Sequence, residues 1–240
     1  MLAFILLMLL QDAPRLLPPP PAGPPATIQQ GERRLLDTAR VPAAGISEED
    51  FQVPGWKAEA IYRGDLNGDG RADAALQLVE DLPLERPDGV WNARHRALVL
   101  LLRRSDGSFE RAAVAAKLVY CSTCAGVLGD PEGGNITAEI KDGVLSVTQL
   151  SGSRWAADHT WRFRRDPATG RFLLIGEDVE TYDRAAGGGT STSTNYLTGV
   201  RVVKKMRVPR GGDEALVTST HRTRVRPARR FIEDVDYEAR

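Results

Sequence analysis

Short segments in which apolar and polar residues alternate fill the middle of the chain and predict β-strands. In 159–164 (HTWRFR), aromatic and polar residues alternate with period two, the spacing of a strand that is buried on one face. The run 97–102 (ALVLLL) is short and apolar throughout, which is typical of a strand buried on both faces. Because a buried helical segment gives the same uniform pattern, periodicity alone leaves that alternative open for this run.

Turn signals separate these segments. Asp142-Gly143 lies between two predicted strands, and glycine supplies the positive φ that a tight hairpin requires. The segment 166–170 (DPATG) follows 159–164 in the same way and predicts a second hairpin. The predicted fold class is therefore mainly β, with an antiparallel sheet that is either sandwich-like or propeller-blade-like and a short N-terminal helical segment.

The N-terminal part of the chain differs in composition from the β-rich part. Residues 2–10 (LAFILLMLL) are uniformly apolar but fall well short of the roughly 20 residues that a membrane-spanning helix needs. The proline-rich stretch 18–25 follows, so residues 1–26 are interpreted as a signal peptide and linker, and no stable membrane span is expected. The segment 27–50 has a loose helical periodicity and predicts a helical lead.

The charge balance argues against one broad class of function. The chain has 32 Lys plus Arg and 32 Asp plus Glu, so its formal net charge is zero and nucleic-acid binding is not expected. The segment 207–240 is rich in charge and poor in apolar residues, which predicts a loose tail. The β-rich domain is accordingly expected to span 51–206, in a protein that is periplasmic or secreted.

Cys121 and Cys124 are the only cysteines in the chain. A single pair is too few for a four-cysteine zinc site, and in an oxidising compartment it predicts a disulfide across a tight turn. A redox pair normally begins a helix whose N-terminus lowers the thiol pKa, and the residues after Cys124 have no helical pattern. A structural disulfide is therefore favoured over a thiol-redox site.

The clearest chemical signal is the segment 65–73 (DLNGDGRAD), which predicts a calcium-binding loop. The predicted ligands are the side chains of Asp65, Asn67, Asp69 and Asp73, at loop positions one, three, five and nine, and the backbone carbonyl of Arg71 at position seven. An EF-hand has a bidentate glutamate at position twelve, where this chain has Leu76, so the affinity is expected to be weak, on the order of 10⁻⁴ M or somewhat tighter. The alternative is a solvated Asp/Gly turn without an ion.

Two resemblances follow from these residues. Residues 64–76 (GDLNGDGRADAAL) resemble the calcium loop of FG-GAP and VCBS repeats. In that family the loop lies between strands of propeller blades, its Asp and Asn positions bind calcium, and several copies occur where this chain has one. Further short motifs are PGW at 54–56, CSTC at 121–124, GDP at 129–131, GSRW at 152–155 and NYLTG at 195–199. With the loop, they resemble a group of exported bacterial proteins of unknown function, over roughly residues 51–205.

No catalytic constellation is recognisable in the sequence. His95, His159 and His221 are the only histidines, and none has the spacing of a metal site or a catalytic triad. Trp161 alternates with an aromatic neighbour and is expected in the core, whereas Trp155 is expected to be exposed, where its ring could stack on a sugar.

The sequence thus predicts an exported, non-enzymatic module that binds Ca²⁺ and has a structural or partner-binding role. Its partner is expected to be a protein or a glycan of the cell envelope, which the sequence does not identify. Two alternatives stay open: an envelope thiol-redox or hydrolytic enzyme, and a carbohydrate-binding module.

Overall fold

The computed structural model of the protein describes residues 35–210, 212, 214–226 and 229–239. The predicted signal peptide and linker over 1–26, and the first part of the predicted helical lead, lie outside the described residues. No helix in the described ranges is long and apolar enough to cross a membrane.

The first of two antiparallel sheets has five strands. They are β1 (Ala44–Gly45), β2 (Trp56–Gly64), β3 (Asp73–Glu80), β4 (Arg96–Arg103) and β5 (Phe109–Ala115), in the spatial order β1-β5-β4-β3-β2. The strands from β2 to β5 are joined in sequence order, so each connection links antiparallel neighbours.

The second sheet has seven strands, each paired with its neighbour in sequence. They are β6 (Ile136–Lys141), β7 (Val144–Gly152), β8 (Trp155–Arg165), β9 (Phe172–Asp183), β10 (Gly189–Asn195), β11 (Val200–Arg207) and β12 (Leu216–Arg224). The mainly β, antiparallel prediction is confirmed, and the hairpin predicted at Asp142-Gly143 joins β6 to β7.

The two sheets share one hydrophobic core. Alternate residues of the strands β3 to β9 point into it, as the period-two pattern of 159–164 predicts: Trp161 is 2% exposed and Phe163 is fully buried. The buried residues of this core include Ala75, Leu98, Leu100 and Ala115 from the first sheet, Leu145, Val147, Trp161, Phe163, Phe172 and Leu174 from the second, and Ile232, Val235 and Tyr237 near the C-terminus.

The opposite face of the first sheet is also covered. Leu36, Val41, Phe51 and Val53 pack there on the second set of alternating side chains, which includes Val99 and other residues of β3 and β4. Burial on both sides explains why 97–102 is apolar throughout, and the prediction of a strand buried on both faces is confirmed for this run.

The helical lead predicted over 27–50 is not found in its described part. Residues 35–50 contain only a 3₁₀ turn at Thr38–Arg40, β1 and the beginning of a second 3₁₀ turn at Glu48–Phe51. The second turn begins after Ser47, where the Asp50 carboxylate accepts hydrogen bonds from the N–H groups of Ile46 and Ser47. The apolar residues of this segment pack on the first sheet, so their spacing need not be helical.

The loose tail predicted over 207–240 is also not found in the part of this range that the structure describes. Leu216–Arg224 forms β12, and Ile232, Val235 and Tyr237 lie in the shared core. The sequence is misleading here because β12 has no buried face, so its Thr, Ser and Arg residues do not give the apolar alternation of a strand.

A buried ion pair joins two strands of the first sheet, and its arginine also bonds to the segment that leads to the second sheet. The Arg96 side chain is fully buried, with Nε 2.5 Å from Oε2 of Glu59 and Nη2 2.8 Å from Oε1. Gln77 donates to the same carboxylate at 2.7 Å, and Arg96 donates to the carbonyl oxygens of Tyr120 and Pro131. The guanidinium and carboxylate therefore neutralise each other in a region that is almost completely buried.

Replacing one member of this pair should destabilise the protein strongly. Arg96→Met removes two charge-assisted hydrogen bonds from the Glu59 carboxylate and leaves it only the more distant guanidinium of Arg94, at 3.9 Å. The free energy of unfolding is therefore expected to fall by about 3–5 kcal/mol. In urea unfolding, the double variant Glu59→Met/Arg96→Met should lose less than the sum of the two single changes. Arg104→Met, which breaks an exposed pair with Glu110, serves as the control and should change little. Additive effects in the double variant would contradict this interpretation.

Candidate metal centre

The predicted calcium loop is the connection between β2 and β3. It begins after Gly64, the last residue of β2, and ends at Asp73, the first residue of β3. Gly64 lies against β6, where the position of a Cβ atom would be only 2.6 Å from the carbonyl oxygen of Ile140. Gly68 and Gly70 have φ values of +80° and +79°, so the loop turns through backbone conformations that favour glycine.

The Asp65 carboxylate organises the first half of the loop. Its Oδ1 accepts from the N–H groups of Asn67 at 3.1 Å and Gly68 at 2.7 Å, and its Oδ2 accepts from Gly70 at 2.8 Å. The hydrogen bond from Gly70, together with those from Gly68, Asn67 and Asp69, lowers the pKa of Asp65 below its ordinary value. The loop backbone therefore wraps around an ionised carboxylate.

Asp73 forms the base of the loop and is fully buried. Its two oxygens accept hydrogen bonds from the N–H of Leu66 at 2.8 Å and the N–H of Arg103 at 2.7 Å. Burial raises the pKa of the Asp73 carboxyl, and the nearby charges of Asp69 and Asp65 raise it further, against the effect of the two hydrogen bonds. Within the described residues, no Lys or Arg side chain forms an ion pair with Asp73.

Asp69 lies at the open side of the loop, where an arginine neutralises it. Its Oδ2 accepts a hydrogen bond from Nδ2 of Asn67 at 2.9 Å and pairs with the guanidinium of Arg71. The same Arg71 side chain donates through Nε to the carbonyl oxygen of Arg103 at 3.1 Å. A cationic group of the protein itself thus occupies one of the oxygens that the sequence assigns to an ion.

The loop brings the predicted side-chain ligands into one turn, where their oxygens accept hydrogen bonds from loop groups and, at Asp73, also from Arg103 of β4. In the part of the chain that the structure describes, no three acidic, histidine or cysteine side chains are arranged to hold a metal ion. A carboxylate oxygen has two lone pairs, so Oδ2 of Asp65 and the two oxygens of Asp73, which accept one N–H each, retain a second lone pair for a cation. The available donors are carboxylate, amide and carbonyl oxygens, the set that fits Ca²⁺, provided that Arg71 leaves Asp69.

The predicted cysteine pair is at disulfide distance. Cys121 and Cys124 are bonded, with their Cα atoms 5.0 Å apart, in a turn between the two sheets. Cys121 is 2% exposed, and the hydroxyl of Tyr237 donates to the Sγ atom of Cys124 at 3.2 Å. The pair is followed by a 3₁₀ turn at Gly126–Leu128, so no α-helix begins at these sulfur atoms.

The tryptophans divide as the sequence predicts. Trp161 lies in the shared core and stacks on the His159 ring with centroids 3.6 Å apart. Trp155 is 60% exposed, and Trp91 is 47% exposed. Trp91 also lines a cavity of about 340 Å³ beside the disulfide turn, together with Ser122, Thr123, Gly126, Val127, Gly129 and Pro131.

Sequence reasoning missed one polar cluster, because its members are distant along the chain. Nε2 of His159 lies 2.7 Å from Oε1 of Glu177, and the Tyr196 hydroxyl donates to Oε2 of the same carboxylate. Arg230 donates to the Tyr196 oxygen at 3.2 Å. Burial opposes ionisation of Glu177, but the hydrogen bonds from His159 and Tyr196 and the nearby positive charges outweigh it and lower the pKa of Glu177 to about 2.

No known protein-family model matches this chain, and neither a curated protein nor a solved structure matches it. The resemblance of the loop to FG-GAP and VCBS repeats therefore stays a prediction from the residues.

Removing the competing guanidinium should strengthen calcium binding. Arg71→Ala frees the Asp69 carboxylate but keeps the backbone carbonyl at loop position seven, so the calcium dissociation constant in isothermal titration calorimetry is expected to fall a few-fold. Arg63→Ala is the matched control. Arg63 lies two residues before Asp65 and pairs with Glu48, so this variant removes the same charge without freeing Asp69. An equal gain in both variants, or none in Arg71→Ala, would contradict direct competition.

Acid should remove the stability that ionised Glu177 provides. Its pKa is about 2 in the folded protein against 4.5 for the free group, so this contribution is complete above about pH 4.5 and is lost as the pH falls toward 2. Between pH 6 and pH 2.5 the wild type is expected to lose about 2–3 kcal/mol more unfolding free energy than Glu177→Gln.

The measurement is urea unfolding across this pH range. Glu180→Gln, an exposed position on the same strand, should follow the wild type. Parallel curves for wild type and Glu177→Gln would disprove the assignment.

Proposed function

We propose that this protein is an exported, non-enzymatic module in which a calcium ion at the β2–β3 loop stabilises the fold. The module has a structural or partner-binding role in the cell envelope or outside the cell. The residues that would hold the ion are Asp65, Asn67, Asp69 and Asp73 through side-chain oxygens and Arg71 through its carbonyl.

The observation that carries the proposal is the fully buried carboxylate of Asp73. It lies near two further carboxylates, Asp65 and Asp69, and has only two backbone N–H groups as partners in the described residues. Charges of one sign in a buried position favour either protonation or a bound cation. A divalent ion shared by the three carboxylates would remove this repulsion.

The donor chemistry favours calcium over other metals. Every proposed ligand is an oxygen, which hard cations prefer, and no histidine or cysteine belongs to the set. Calcium accepts the irregular geometry of a short loop, whereas magnesium needs near-octahedral geometry and gives up its waters reluctantly.

A structural role fits the position of the loop. Leu66 is 1% exposed and belongs to the core that both sheets share, while Asp73 is bonded to the backbone of β4 through Arg103. An ion at this place would fix the turn that anchors β2, β3 and β4 relative to each other. Calcium that binds the folded state alone must then raise its stability by mass action.

Export is supported by the apolar N-terminal run and by the disulfide. A Cys121–Cys124 bond persists in oxidising compartments. Since Cys121 is buried and no helix follows the pair, a structural bond accounts for it better than a thiol-redox function.

Carbohydrate binding is the second candidate, and the exposed tryptophans favour it. Trp155 and Trp91 present their rings at the end of the molecule away from the β2–β3 loop. A glycan array with Trp155→Ala and Trp91→Ala as variants tests this function, and loss of a glycan signal in either one would support it.

Calcium should raise the melting temperature of the wild type and not of Asp69→Ala. With a dissociation constant on the order of 10⁻⁴ M, about 1 mM calcium adds roughly 1.4 kcal/mol, which corresponds to roughly 3–6 °C for a domain of this size. The measurement is thermal unfolding by circular dichroism, in calcium and in chelator.

Asp106→Ala is the matched control for this experiment. Asp106 caps the β4–β5 turn by accepting from the Ser108 N–H at 2.9 Å, and it lies outside the loop. This variant should keep the full calcium shift, whatever its own melting temperature. An unchanged melting temperature of the wild type at about 10 mM calcium would disprove the proposal.

A further inference from the structure

The last strand of the second sheet leaves its outer edge unpaired by the described residues. β12 has one neighbour, β11, and all nine of its residues are exposed. The strand at the opposite edge, β6, is covered, because the Ile140 carbonyl approaches Gly64 of β2 closely. The second sheet thus has one open edge, with a row of free backbone N–H and C=O groups.

The register shows which backbone groups point outward. The N–H of Val225 donates to the Gly199 carbonyl at 2.8 Å, so the backbone of Val225 faces β11. In an antiparallel strand this direction alternates from one residue to the next. The N–H and C=O groups of Arg224, Arg222 and Thr220 therefore point to the open edge, where a further strand would bond to them.

The same region is strongly basic, although the chain as a whole has no net charge. Within the described residues, no carboxylate pairs with any of five basic side chains of β11 and β12: Lys204, Lys205, Arg207, Arg222 and Arg224. The register places Lys204 opposite Thr220, so Lys204, Arg222 and Arg224 lie on one face of the sheet.

The other end of β12 is apolar. Leu216 is 57% exposed and Val217 is 53% exposed. The edge therefore has free backbone groups along its length, basic side chains toward one end and two apolar residues at the other. This combination matches an extended peptide better than a compact surface.

We propose that the β12 edge binds an acidic peptide segment in extended conformation, which joins the second sheet as a further strand. Backbone hydrogen bonds to Thr220, Arg222 and Arg224 provide the pairing, and carboxylates of the partner face the two arginine side chains. The proposal is independent of the calcium loop.

Charge selects an acidic partner over a second copy of this chain. A copy that pairs through its own β12 brings a second set of unpaired arginine and lysine side chains to the same sheet, and like charges on neighbouring strands repel. Basic side chains along an open edge are a known protection against self-association. A strand that carries glutamates at alternate positions meets the opposite charge instead.

The test uses the full chain and a fluorescein-labelled peptide of nine residues. In one half of this peptide, glutamate alternates with threonine or valine. A peptide with lysine in place of glutamate is its control. Anisotropy is measured at low and high salt with the wild type, Thr220→Pro, Thr220→Val and Arg222→Glu/Arg224→Glu. Thr220→Pro removes an outward N–H and leaves the bonds to β11, which edge strands tolerate.

We expect the acidic peptide to bind the wild type and Thr220→Val equally. Binding should weaken on the order of fivefold or more in Thr220→Pro, which loses one backbone bond. It should weaken on the order of tenfold in Arg222→Glu/Arg224→Glu, with the larger effect at low salt.

Three results would overturn the proposal. One is no binding of the acidic peptide at about millimolar concentration or equal binding of the lysine peptide. Another is weakening in the charge variant without weakening in Thr220→Pro, which would indicate a site for polyanions in general. The third is a dimer of the wild type, in sedimentation measurements, that Thr220→Pro abolishes, because a second copy would then occupy the edge.

Discussion

The structure depends on a carboxylate that is buried at the point where three strands meet. Asp73 opens β3, accepts one hydrogen bond from the loop at Leu66 and a second from β4 at Arg103, and has no exposed surface. These two bonds fix the turn, the strand and the neighbouring strand in one arrangement. The negative charge that makes the bonds strong is also the charge that a buried site tolerates least, unless a cation balances it.

Two other carboxylates of the described residues are balanced by side chains, whereas Asp73 is bonded to backbone N–H groups alone. Glu59 of β2 is paired with Arg96 of β4, and Glu177 lies between His159 and Tyr196 at the edge of the shared core. Each of these carboxylates is neutralised or hydrogen-bonded by side chains that the fold brings from other strands. At the β2–β3 loop the Arg71 guanidinium pairs with Asp69 at the open side instead. The proposed calcium ion would balance the remaining charge of the loop.

Local sequence patterns predicted the strands, core positions and turns that depend on neighbouring residues. They did not predict features that depend on contacts between residues distant along the chain. The strand at 97–102, the core position of Trp161 and the turn of the Asp/Gly loop all follow from period, apolar content and glycine placement. β12 was interpreted as a tail because a strand without a buried face has no apolar alternation. The contact between His159 and Glu177 depends on the pairing of β8 with β9, which no local spacing reveals. The Arg71–Asp69 pair was missed because the ligand pattern considered only the carbonyl of Arg71.

The most direct measurement is a crystal structure of the protein grown in calcium and in chelator. The account predicts one ion in the calcium crystals, at about 2.3–2.6 Å from oxygens of Asp65, Asn67, Asp69 and Asp73 and from the Arg71 carbonyl. It also predicts that the Arg71 guanidinium moves away from Asp69 in those crystals alone. Identical loops in both conditions, with the guanidinium on Asp69 and no ion density beside Asp73, would contradict the central claim.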